Sequence, residues 1–147
     1  MNPRWLVILI LFVLAAPEST ADTKGPYIMS VDAIRELRPG PKWDPKSDDV
    51  LVQVRGYLRD DANLYLYATK DQALLDDISG IPVSDEGEGE LRRNCSDGFV
   101  ELVARLGWFE GEQRTHLVPI EATRLTLREK NRAEEHLCWS APPTNDR

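Results

Sequence analysis

The residues best suited to chemistry are Gln53, Arg55, Tyr57, Tyr65 and Tyr67, which recur at every second position of two short segments, VLVQVRGYL and LYLYAT. If both segments are strands, this spacing puts three tyrosines and an arginine on one face of a hairpin. Aromatic rings beside a guanidinium make a stacking platform for a base, a sugar ring or a protein anchor. Arg55, Tyr57, Tyr65 and Tyr67 are therefore the candidate ligand-binding set. The competing reading is that an N-terminal helix and Trp43 cover the tyrosines, or that they serve cross-strand packing alone.

Other reactive types fall in weaker patterns. Asp85, Glu86, Glu88 and Glu90 crowd an acidic loop whose oxygens suit Ca²⁺, but the spacing is not that of an EF-hand. The loop is expected to be solvated. His116 and His136 are the only histidines, and neither lies in a zinc-binding pattern. The chain has no G-x-S-x-G, no S-x-x-K and no glycine-rich phosphate loop. Paired carboxylates such as Asp76-Asp77 are present, but glycoside hydrolysis needs them facing each other across a cleft, for which a domain this small leaves little room. The expectation is no catalytic residue, no metal site and no cofactor, with a small hydrolase as an outlying alternative.

The address is more legible than the activity. Arg4 precedes Trp5–Ala16, a run with no charged or polar side chain. The run is well short of the roughly 20 residues that span a bilayer. With Ser19-Thr20-Ala21 behind it, it reads as a secretory signal peptide over residues 1–21, cleaved after Ala21. The expected destination is a periplasm or the extracellular space, with no membrane anchor once the signal is removed. Two cysteines, Cys95 and Cys138, lie in the exported part and are expected to form a structural disulfide. A loop of that length corresponds to a chain-entropy effect of roughly 4 kcal/mol.

Charge restricts the partners. A formal net charge of −7 gives no overall attraction to nucleic acid or anionic lipid. Arg92-Arg93 and the stretch from Arg124 to Arg132 are read as solvated surface. Single-stranded nucleic-acid binding by the tyrosine face is an alternative that the acidity disfavours. A protein or saccharide ligand is the preferred partner, and the oligomeric state is left open.

The elements that must position these residues follow from periodicity and turn chemistry. Residues 22–49 form a polar leader, a short helix and a proline-rich loop. Ser30 can cap the helix, Val31, Ile34 and Leu37 share one face, and Pro39-Gly40 stops it. Trp43 is expected to fold back on the domain. Residues 50–139 carry five expected strands: Val50–Leu58, Leu64–Thr69, Ile78–Val83, Phe99–Phe109 and Thr115–Leu127, the last kinked or bulged at Pro119. Lys70–Asp77 is a helical turn or loop, and residues 140–147 a loose tail.

Five strands with Gly56 inside the first suggest an all-β, five-stranded barrel, since a glycine there lets one strand bend and serve two sides of it. The segments VLVQVRGYL, LYLYAT, IPV and VELVARLGWF, the last preceded by Cys95, resemble the small exported OB-fold-like proteins of bacteria. That resemblance covers Val50–Leu127. It implies an OB-like β-barrel used for binding and no catalytic residue.

Overall fold

The computed structural model describes residues 25–75, 78–85, 89–128 and 132–143. The expected signal peptide and the end of the tail lie outside the described residues. The chain is mostly β. Its elements are β1 (Tyr27–Met29), α1 (Val31–Arg35), β2 (Leu51–Asp60), β3 (Leu64–Tyr67), α2 (Lys70–Leu74), β4 (Ile81–Pro82), α3 (Glu90–Cys95), β5 (Gly98–Phe109), β6 (Arg114–Arg128) and β7 (Arg132–Ser140).

Alternation in β2 does what period 2 dictates. Val52, Val54 and Leu58 turn inward and are fully buried, while Arg55 points to solvent. They meet Leu64 and Leu66 of β3, Val100, Leu102 and Ala104 of β5, and Leu117 and Ala122 of β6 in one core. Each buried Val or Leu among them contributes about 1.5–3 kcal/mol through burial. Gly56 belongs to the same inward row. A Cβ there would come within 2.5 Å of the Tyr67 carbonyl oxygen and 2.9 Å of Leu66 Cγ, so glycine is what lets β3 lie this close.

The strands form one seven-stranded sheet in the order β4-β3-β2-β5-β6-β7, with β1 added to β2 in parallel. The sequence implied five strands; β1 and β7 are the additions. The sheet is not closed into a barrel by a continuous ladder. The β4 end meets β6 through one parallel bridge, Val83 to Leu117, with the Ser84 N–H donating to the Leu117 carbonyl at 2.8 Å. The expected third strand also shrinks to Ile81–Pro82, because proline removes a ladder donor.

Local expectations at the N-terminus hold. Ser30 Oγ accepts the Ala33 N–H at 3.1 Å and starts α1, whose Val31 and Ile34 enter the main core. Trp43 is buried there and meets Trp108 edge-on, with ring centroids 6.4 Å apart. The irregularity at Pro119 is a bulge: Val103 pairs Glu121 but Ala104 pairs Pro119, leaving Ile120 as the extra residue.

A second bulge serves the disulfide. Ala122 pairs Trp139 while Thr123 pairs Leu137, so Cys138 is the unpaired residue of β7. It bonds to Cys95 at the end of α3, with Cα atoms 5.7 Å apart. The bridge ties α3 to the outermost strand. Arg124 of β6 adds to that attachment by donating to the carbonyls of Ser96 at 2.8 Å and Asn94 at 3.3 Å.

Candidate functional site

The tyrosine row divides on folding. Tyr57 and Tyr67 face each other across β2 and β3, but both are buried, at 8% and 6% exposure. Their cover is neither α1 nor Trp43, which sit in the main core on the other side of the sheet. It is α2. Thr69, two residues after β3, caps this helix with a reciprocal capping box to Gln72, so the chain folds back over the strands it has just left. Fully buried Ala73 then packs against Tyr57 and Tyr67. Arg59, next in the row, reinforces the cover by donating to the Ala73 carbonyl. An open platform of three tyrosines is therefore not what the fold presents.

Arg55 remains exposed but is engaged. Its Nε lies 2.5 Å from Glu101 on β5, and its guanidinium lies 3.6 Å from Glu135 on β7. The hydrogen bond to Glu101, and then its charge, raise the Arg55 pKa above the ordinary arginine value. Arg55 and Gln53 line a separate hollow with Ile28, Met29, Ser30 and Glu101, so the structure does not bring Arg55 together with Tyr65 and Tyr67.

Tyr65 has a different setting. It is half-buried on β3, opposite Arg59 on one side and Pro82 on the other. The guanidinium of Arg114 lies over its ring, 5.8 Å from the centroid, in a cation–π contact. Arg114 opens β6 and pairs with Phe109 across the β5–β6 turn. That turn is held by the Glu112 N–H on the Phe109 carbonyl at 3.2 Å and by the Gln113 side chain on the Glu110 carbonyl at 2.6 Å. Gln113 takes a positive φ of 51° to close it. Arg114 also forms an ion pair with Glu112.

Two hollows adjoin this pair. One, of about 320 Å³, is bounded by the β2–β3 turn (Asp61, Ala62, Asn63), Tyr65, Tyr67, Ile78, Gly80 and Arg114. The other, of about 310 Å³, is bounded by Asn63, Tyr65, Pro82, Asp85, Arg92, Phe109, Glu112 and Arg114, among others. Asn63, Tyr65 and Arg114 are common to both. The result is a groove between the β2–β3 and β5–β6 turns, with the Tyr65–Arg114 pair at its middle. Arg114 was missed from the sequence because its contact with Tyr65 joins two hairpins far apart in the chain. No local pattern at position 114 marks it; the turn residues Glu110–Gln113 just before it are the nearest signal in the sequence.

The other candidates take structural positions. His116 stacks on Phe109 with centroids 3.9 Å apart and lies across Gly107, where a Cβ would come within 2.2 Å of its ring. His136 is exposed on β7, opposite Arg124. Of the acidic loop, Asp85 pairs with Arg92 at 3.6 Å, and Arg92 pairs with Asp60 at 3.1 Å, while Glu86 and Glu88 lie outside the described residues. Asp76 and Asp77 lie outside them too. Among the described residues no group of three or more His, Cys, Asp or Glu is placed to hold a metal ion. Among the same residues no helix is long and apolar enough to cross a membrane. Comparison with protein-family models, curated proteins and solved structures finds no match.

Proposed function

We propose that this protein is an exported, non-catalytic binding module with an OB-like core, and that it holds a protein or saccharide partner in the groove between the β2–β3 and β5–β6 turns. The observation that carries the reading is the Arg114 guanidinium over the Tyr65 ring, in a cation–π contact where two hollows meet. Binding sites join apolar walls to a few fixed polar groups, and this groove has both.

The OB-like reading draws support from strand order. From β2 the sheet runs through β3 to β4 on one side and through β5 to β6 on the other, and the Val83–Leu117 bridge brings β4 beside β6. A helix, α3, sits between β4 and β5. A partly open five-strand core of this order binds ligands between its first and last hairpin loops, which is where the groove lies. Export is supported by the Cys95–Cys138 disulfide, which suits an oxidising compartment. Nucleic acid is the weaker alternative, because Arg92, Arg114 and Arg59 each pair with a carboxylate, of Asp60 and Asp85, Glu112, and Asp61 respectively.

The test is capture of native envelope or culture-fluid material by wild-type protein beside Tyr65→Ala and Arg114→Ala. Both variants are expected to keep the fold and lose the partner. Equal capture by all three, with the fold intact, would sink the reading.

A further inference from the structure

We infer that the occupant of this groove is a neutral oligosaccharide that seats two adjacent sugar rings, one in each hollow. The inference rests on the binding-groove reading and gives its ligand a chemical class.

Charge is the first argument. The cations at the groove are matched locally: Arg114 by Glu112, and Arg92 by Asp60 and Asp85. A ligand with net charge would meet an already paired counter-ion and lose solvation for little gain. A neutral polar ligand avoids that cost.

Side-chain shape is the second. Asn63 and Arg114 line both hollows and Asp61 the first; each carries a planar group with paired N or O atoms, of which Arg114 has one nitrogen engaged by Glu112 and Asp61 one oxygen by Arg59. Such forks match two adjacent hydroxyls in the way they match any bidentate partner. The part of the Tyr65 ring that Arg114 leaves uncovered lines both hollows and offers an apolar surface for the C–H face of a pyranose. In the second hollow Arg114 Nε and Asp85 Oδ1 are buried without a hydrogen-bond partner. One is a donor and the other an acceptor, and leaving them unpaired is costly. A hydroxyl can serve either after a small side-chain rotation into the hollow.

The third argument is repetition. The two hollows, of about 320 and 310 Å³, are nearly equal and share three residues. Each lies at the lower end of the range for small-molecule sites, roughly 300–1,000 Å³. A ligand of repeating units meets Asn63, Tyr65 and Arg114 from both sides.

A peptide strand fits less well. It would need free main-chain donors along β4. Pro82 has none, the Val83 N–H is taken by the Leu64 carbonyl at 2.9 Å, and the Ser84 N–H by that of Leu117.

The experiment is a titration of the ¹⁵N-labelled protein with neutral gluco-, galacto-, manno- and N-acetylglucosamine oligosaccharides of one, two and four units, with uronic-acid oligosaccharides as the charged counterpart. The readouts are the Arg114 Nε–H and Asn63 side-chain amide signals. A neutral series should shift both, bind at least roughly tenfold tighter at two units than at one, and lose that affinity in Tyr65→Ala and Arg114→Ala. Asn63→Ala, at an exposed turn position, provides a second variant that does not threaten the fold. Preference for uronates, no gain from one unit to two, or no shift across the panel overturns the inference. If no sugar binds but wild type still captures a protein that Tyr65→Ala does not, the groove reading stands and only the sugar inference fails. If no sugar binds and capture is unchanged by Tyr65→Ala, both fail.

Discussion

Arg114 and Tyr65 lie on different hairpins, far apart in sequence, yet the guanidinium of one lies 5.8 Å from the ring centre of the other. The pair links the first residue of β6 to the third strand and stands where the two hollows meet. The proposed binding site therefore lies in a groove between two turns, not along a row of tyrosines.

Tyr65 and Tyr67 should behave differently when truncated. Tyr67 is buried beneath Ala73, so Tyr67→Ala leaves a cavity and should destabilise the protein by roughly 3 kcal/mol. Tyr65 is half-buried, and Tyr65→Ala should cost less than half of that while abolishing capture of the partner. Urea unfolding of both variants beside a binding assay checks the contrast. Similar stability losses would place both residues in the core.

Arg55 should be dispensable for binding. It lines another hollow and pairs with Glu101 and Glu135. Its side chain is 64% exposed, and ion pairs at such sites contribute little to stability. Arg55→Ala should capture as much partner as wild type. A loss comparable to that of Arg114→Ala would move the site to the β2–β5 face.

Removing the disulfide should loosen β7 together with α3. The double variant Cys95→Ala/Cys138→Ala loses the covalent tie between them and should be less stable by about 2–4 kcal/mol. Amide exchange should rise first in residues 132–140. Unchanged protection there would show that packing of Trp139 alone holds the strand.

Acid should act on the loop that carries Trp43. The Lys46 backbone N–H, and then the Ser47 hydroxyl, hydrogen-bond the Asp44 carboxylate and lower its pKa below the ordinary aspartate value. A group lowered on folding stabilises the native loop above its unfolded pKa and loses that contribution as pH falls through the folded one. Protection of the Lys46 amide, taken relative to its intrinsic exchange rate at each pH, should therefore fall as pH drops below the ordinary aspartate range. Asp44→Asn should remove that acid step, and an unaltered profile in this variant would assign it to another carboxylate.

Much of the scaffold was legible because single residues carried clear signals. The V-x-V alternation in β2, the Ser30 cap of α1 and the bulge beside Pro119 each follow from local chemistry. β7 was not legible: Glu134, Glu135, His136 and Leu137 are exposed on an edge strand, so no apolar alternation marks it. β1 is three residues long with Tyr27 and Ile28 exposed. α3 begins at Gly89 with no side-chain cap, which removes the usual start signal. For the site, period 2 placed the tyrosines on one face but could not say what covers them, because Ala73 is the only buried residue of α2. The half-buried setting of Tyr65 and its contact with Arg114 were not legible, since both depend on where a distant turn lands.

The most direct measurement is a hydrogen-exchange footprint of the wild-type protein with and without its captured partner. The groove account predicts slowed exchange at residues 61–65, 80–85 and 109–114, with no change around Arg55 and Glu101. Protection confined to the Arg55 face, or none near Tyr65 and Arg114, would contradict it.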